Sequence, residues 1–200
     1  MRAVKKVEGI VAPLDRPNVD TDQIIPKQFL KRIERSGFGE FAFFDWRKDP
    51  DFITNDARYK GAPIMLAQQN FGCGSSREHA VWAIEDMGVT AIIAPSFGDI
   101  FRTNCSKVGL VTVELPHEDV NYLMSRVEEL PATRIVVDVA TQTVSVAGTD
   151  WKRSFNIDPF VKFRLLNGLD DIGLTLQHVD EITAFEETRS DLKPVTSAKK

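Results

Sequence analysis

Two cysteines and three histidines are all that the 200 residues supply, and this scarcity excludes several chemistries. Cys73 and Cys105 stand far apart with no C-x-x-C or other metal-type spacing, so neither a disulfide framework nor a zinc site is expected, and both are read as free thiols. A cubane iron–sulfur cluster takes three or four cysteine ligands, so this chain cannot hold one alone. No stretch approaches the ~20 apolar residues of a membrane span. The start, "MRAVKKVEGIVAPLD", carries charge but no apolar core of signal-peptide length, so a cytoplasmic protein is expected. A net charge of −4 and a pI near 5.5 leave no cationic footprint for phosphate backbones, which argues against nucleic acid as a partner.

What is present is a chain that is 42% hydrophobic, without repeats or low-complexity tracts. Its length suits one domain, expected over residues 1–188, with 189–200 as a polar and mobile tail. "VEGIVAPL" alternates as a strand, and the Asp-, Asn- and Pro-rich "DRPNVDTDQIIP" reads as a loop. "KQFLKRIERSGFGEFAFFDWRKDPDF" holds aromatics but no sustained period, so a short helix followed by irregular structure is expected. From residue 62 onward, strand and helix patterns alternate: "APIMLA", "SREHAVWAIEDM", "VTAIIAP", "SFGDIFRTNCSKVG", "LVTVEL" and "HEDVNYLMSRVEEL". Strand–helix–strand order implies parallel pairing. After Pro131 the period becomes two, and "TRIVVDVATQTVSVAG" reads as an antiparallel hairpin to which "WKRSFNI" adds a strand. "DPFVKFRLLNG" is a helix with Asp158 as N-cap, Pro159 at its first position and Gly168 at its end, and "VDEITAFEE" is a last helix. The fold class expected is α/β, a mostly parallel sheet with an added antiparallel β layer.

The chemistry concentrates in "QQNFGCGSSREHA", residues 68 to 80. Ser75 and Glu78 stand in the S-x-x-E relation of a capping box, which predicts Ser75 as N-cap of the following helix. Arg77 then faces the positive end of the helix dipole, an unfavourable placement unless an anion lies close by. Gly72 and Gly74 allow close backbone approach, and the N–H groups of residues 74 to 77 are oriented to receive a negative group. The expectation is an anion site with Arg77 suited to a bidentate grip on a carboxylate. The lack of a lysine after Gly74 argues against a phosphate-binding P-loop, and the G-x-S-x-G of a serine-hydrolase elbow is not offered. A Ser75–His79 pair is conceivable at i and i+4, against which stands the capping role of Ser75. A serine in this position could act as a base if Arg77 and the helix N-terminus stabilised its alkoxide.

Four motifs, "NVDTDQIIPKQFL", "NFGCGSSREHA", "IAPSFGDIFRTN" and "NGLDDIGLTL", together resemble the small subunits of 3-isopropylmalate dehydratase, relatives of the aconitase swivelling domain, over residues 5 to 188. The resemblance implies a swivelling β/β/α domain that closes over a large subunit bearing a [4Fe–4S] cluster, with no cofactor in this chain. It implies Ser75 as the catalytic base, Ser76 and Arg77 as carboxylate ligands, and a substrate-recognition loop in "KQFLKRIERSGFG". A further substrate arginine would be Arg32 or Arg35, and Phe29 and Leu30 are candidate walls for an isopropyl group or ordinary core residues. Asp20 and Asp22 are read as shaping the first loop, as Gly72 and Gly74 shape the second. The implied partners are the large subunit, as a heterodimer or higher hetero-oligomer, and a small dicarboxylate. Two other functions stay open: a sister isomerase acting on citraconate or homoaconitate, and a non-catalytic dicarboxylate-binding module.

Overall fold

The computed structural model describes residues 1–32 and 34–189, so the tail expected at 189–200 lies outside it from residue 190 onward. Seven strands form one sheet in the order β4-β3-β2-β1-β5-β6-β7. They are β1 (Lys6–Leu14), β2 (Ile64–Ala67), β3 (Ala91–Ala94), β4 (Val111–Glu114), β5 (Arg134–Asp138), β6 (Thr143–Val146) and β7 (Lys152–Ser154). The helices are α1 (Thr21–Ile24), α2 (Glu78–Asp86), α3 (Asp99–Val108), α4 (His117–Glu129), α5 (Pro159–Asn167), α6 (Asp171–Thr175) and α7 (Val179–Glu187). Strands β1 to β4 pair in parallel, whereas β1–β5, β5–β6 and β6–β7 are antiparallel. The α/β class follows from the sequence as expected. The antiparallel strands extend the parallel ones edge to edge, so β1 is the seam where the two halves meet.

Burial explains why the two halves have different sequences. β2 and β3, "IMLA" and "AIIA", are buried at every residue because helices cover both faces of the parallel half. Ile64, Leu66, Ala91 and Ile93 face a core closed by Val120, Leu123 and Val127 of α4 and Leu165 of α5. Met65, Ala67, Ile92 and Ala94 face the other core with Ala80, Val81 and Ile84 of α2 and Phe101 and Cys105 of α3. In β5 and β6, Ile135, Val137, Val144 and Val146 are buried while the intervening residues are not, the alternation of a sheet covered on one face.

The aromatic segment between α1 and β2 condenses into short 3-10 turns. Phe38 and Phe43 are completely buried in the second core, which holds the segment without a regular period. The loop expected over "DRPNVDTDQIIP" contains α1, whose N-cap Asp20 accepts from the Gln23 N–H at 2.8 Å while Gln23 Oε1 accepts from the Asp20 N–H at 2.9 Å. Asp158 caps α5 by accepting from the Phe160 and Val161 N–H groups, and Gly168 ends it in the left-handed region.

Candidate functional site

The connections that follow β1, β2 and β3 gather at the carboxyl end of the parallel strands, where open α/β sheets place their ligands. The β1–β2 pairing does not stop with the strands. Asn18 N–H donates to Gln69 O at 2.9 Å, Gly72 N–H to Val19 O at 2.7 Å, and Thr21 N–H to Cys73 O at 2.9 Å. Asn18 and Asn70, both at positive φ, are joined side chain to side chain at 2.9 Å. The first loop thus carries the second along an irregular ladder as far as Arg77, whose guanidinium is paired with the Asp22 carboxylate.

That ladder overturns one expectation. Ser75 does not cap α2: the N-cap is Arg77, in extended conformation and without a side-chain cap, and the helix begins at Glu78. Gly74 at φ +89 turns the chain, and residues 75 to 77 follow the neighbouring loop instead of entering the helix. The Ser75–Glu78 capping box therefore does not form, and among the described residues Ser75 Oγ has no hydrogen-bond partner. The N–H groups of residues 74 to 77 likewise find no backbone acceptor there. Arg77, misplaced against the helix dipole by sequence reasoning, is compensated by Asp22. Its side chain is only 16% exposed, whereas Asp22 is 52% exposed, so the carboxylate approaches the arginine from the solvent side.

His79 does not reach Ser75. Its ring packs on Phe38 and Trp82, with centroids 5.3 and 4.7 Å apart, and burial, aided by Arg77 and opposed by Glu78, lowers its pKa. Ser75 and His79 therefore do not form the pair considered from their spacing. Cys73 is half-buried beside Asp20, and Cys105 lies in the core; burial raises both thiol pKa values, so neither is an activated thiolate.

Residues 34–41 lie along α2, with Arg35 near Glu78 at its start and Phe38 and Gly39 near Asp86 at its end. Phe38 N–H donates to Asp86 Oδ2 at 2.7 Å, and Phe29 stacks on Phe41 at 4.2 Å and meets Phe44 edge-on at 4.9 Å. Phe29 and Leu30 are half-buried and pack against the second core. Arg32 folds onto its own loop, 5.2 Å above the Phe41 ring and bonded to Gly37 O at 3.4 Å. Arg35 instead crosses to α2, 4.0 Å from Glu78 and 4.8 Å above Trp82. Arg35, Glu78, Trp82, Glu85 and Lys107 line a cleft of about 450 Å³ that does not include Ser75, Ser76 or Arg77. The serine–arginine loop lies outside that cleft, with Gly74, Ser75 and Ser76 all exposed.

Residues 1–118 match the model of the aconitase C-terminal domain, and residues 171–196 match that of the C-terminal domain of the 3-isopropylmalate dehydratase small subunit. The 3-isopropylmalate dehydratase small subunit of Rubrobacter xylanophilus is 54% identical, over 97% of this chain and 98% of that one. The chain belongs to the 3-isopropylmalate dehydratase small-subunit family. The small subunit from Neisseria gonorrhoeae is 52% identical over 97% of this chain and 98% of its own. A crystal structure of 3-isopropylmalate dehydratase from Methanocaldococcus jannaschii matches in fold, with a TM-score of 0.67, 24% identity, and coverage of 90% of this chain and 99% of that one. Sequence reasoning missed Thr21 and Asn18 in this member of the dehydratase family. Both make their contacts across more than fifty residues, and no local signal announces them.

Proposed function

We propose that the chain is the swivelling half of a cytoplasmic two-chain hydro-lyase that converts 2-isopropylmalate into 3-isopropylmalate through isopropylmaleate, with Ser75 as base. The observation that carries this reading is the Arg77–Asp22 pair: a carboxylate already sits on the guanidinium, beside a serine hydroxyl that no other group among the described residues engages. A substrate carboxylate replacing or joining Asp22 would be gripped by Arg77 and Ser76, which brings its α-proton to Ser75. An ordinary hydroxyl is far too weak an acid to serve as an alkoxide. The positive guanidinium and the unpaired N–H groups of residues 74 to 77 supply the stabilisation it needs. Ser75 takes the proton during dehydration and returns it during hydration.

The [4Fe–4S] cluster belongs to the large subunit in this reading. Two cysteines are too few for it, and one of them is sealed in the core with a raised pKa. When bound, the cluster supplies a Lewis acid that assists departure of the substrate hydroxyl. Arg35, which reaches the first turn of α2, is the further substrate arginine, while Arg32 braces the recognition loop. Phe29 and Leu30 form the apolar wall. The exposed position of Gly74, Ser75 and Ser76 suits a site completed by the partner subunit.

The test is co-purification with the large subunit and an anaerobic assay of isopropylmaleate formation, run beside citraconate and homoaconitate. Ser75→Ala should assemble normally and lose turnover; near-normal turnover would refute the base assignment. Tight binding of 2-isopropylmalate by the lone chain in a calorimetric titration would favour a non-catalytic module instead.

A further inference from the structure

We infer that Thr21 is a positioning residue for this reaction: its hydroxyl places Ser75 by holding that residue's carbonyl. The inference rests on Ser75 as the base. Thr21 is 2% exposed, and its Oγ1 donates to Ser75 O at 2.9 Å while its N–H donates to Cys73 O at 2.9 Å. One residue therefore grips the loop on both sides of Gly74, the point where the backbone is freest to turn. A Cβ built on Gly74 would stand 3.4 Å from Asp20 Cβ and 3.7 Å from Thr21 Oγ1, so the two loops are in close contact there. Among the described residues, no other side chain hydrogen-bonds to residues 74 to 76. Ser75 and Ser76 are exposed, and packing does not hold them.

The consequence is specific to the chemical step. Arg77 is anchored separately, through Asp22, so the grip on a substrate carboxylate survives loss of the threonine hydroxyl. The place of Ser75 relative to the proton does not. A misplacement of ~1 Å at a reacting group costs on the order of a hundredfold in rate. Loss of this bond should thus lower kcat with little change in KM.

The experiment uses the complex with the large subunit and compares Thr21→Val, Thr21→Ser and Ser75→Ala, with kinetics normalised to assembled complex. Thr21→Val keeps the buried shape and removes the donor; kcat should fall about tenfold to a hundredfold, with KM within about threefold. Thr21→Ser keeps the donor and removes a methyl, and should recover most of the loss. A packing role predicts the reverse order, since serine leaves a void that valine fills. Should Thr21→Val fail to assemble, Thr21→Ala against Thr21→Ser makes the same comparison, because the two differ only in the hydroxyl. Wild-type kcat in the variant lacking the hydroxyl, or a serine variant no better than it, overturns the inference. Turnover by Ser75→Ala would instead sink the base assignment, whereas an inactive Ser75→Ala beside an unimpaired Thr21→Val would sink the positioning role alone.

Discussion

Gly72→Ala is the sharpest probe of how the site loop is held. Gly72 has φ +73, and a Cβ added there would fall on the Phe101 ring, 2.5 Å from Cδ1 and 2.7 Å from Cβ. Phe101 is 2% exposed in α3 and meets Phe71 edge-on at 5.4 Å, so the ring has little freedom to withdraw. The left-handed backbone alone costs an alanine about 1–2 kcal/mol, offset by about 0.4–1 kcal/mol of lost unfolded-state entropy. Overpacking adds about 1–3 kcal/mol. Gly88→Ala is the internal control: φ is +91 and nothing lies within 4 Å of the added Cβ. For a chain of this length each kcal/mol lowers Tm by about 2–4 °C, so Gly88→Ala should lose about 2–4 °C and Gly72→Ala about 5–15 °C in thermal unfolding followed by circular dichroism. Phe101→Leu in the Gly72→Ala background should return part of the difference. Equal losses at the two glycines would refute the claim that the Phe101 ring confines the loop.

Arg77→Lys retains the charge and loses the planar fork, so kcat/KM in the reconstituted complex should fall about tenfold or more, chiefly through KM; unchanged kinetics would remove Arg77 from the substrate site. His79 gives a pH signature. Its folded pKa lies below the unfolded value because burial disfavours the imidazolium, so the unfolded state takes up the proton first. The contribution to stability is complete above the unfolded pKa and is lost as pH falls through the folded one. The urea midpoint should drop between about pH 7 and 5, and His79→Phe should flatten that part of the profile; an unaltered slope would show that His79 is not responsible.

Much of the fold was legible in the sequence because its signals are local. The apolar runs of β2 and β3, the alternation of β5 and β6, and the Asp158–Pro159 start and Gly168 stop of α5 each lie within a few residues of the structure they specify. The small helix α1 was hidden in a segment rich in loop-forming residues, although Asp20 and Gln23 carry its capping box. The start of α2 was misread for a related reason. "SSRE" satisfies a local capping rule, but Thr21 and Asp22 of a different loop draw residues 75 to 77 away from the helix.

By itself the sequence determined the α/β class, the family through its four ordered motifs, and the impossibility of holding a cubane cluster with two cysteines. Only the tertiary structure decided that Ser75 is free of capping duty, that Asp22 compensates Arg77, that His79 belongs to an aromatic cluster, and that Arg35 rather than Arg32 reaches α2. Periodicity and capping act over one or two turns of chain. The placement of a side chain against a partner fifty residues away is settled by strand register and the packing of two loops, information that no local window contains.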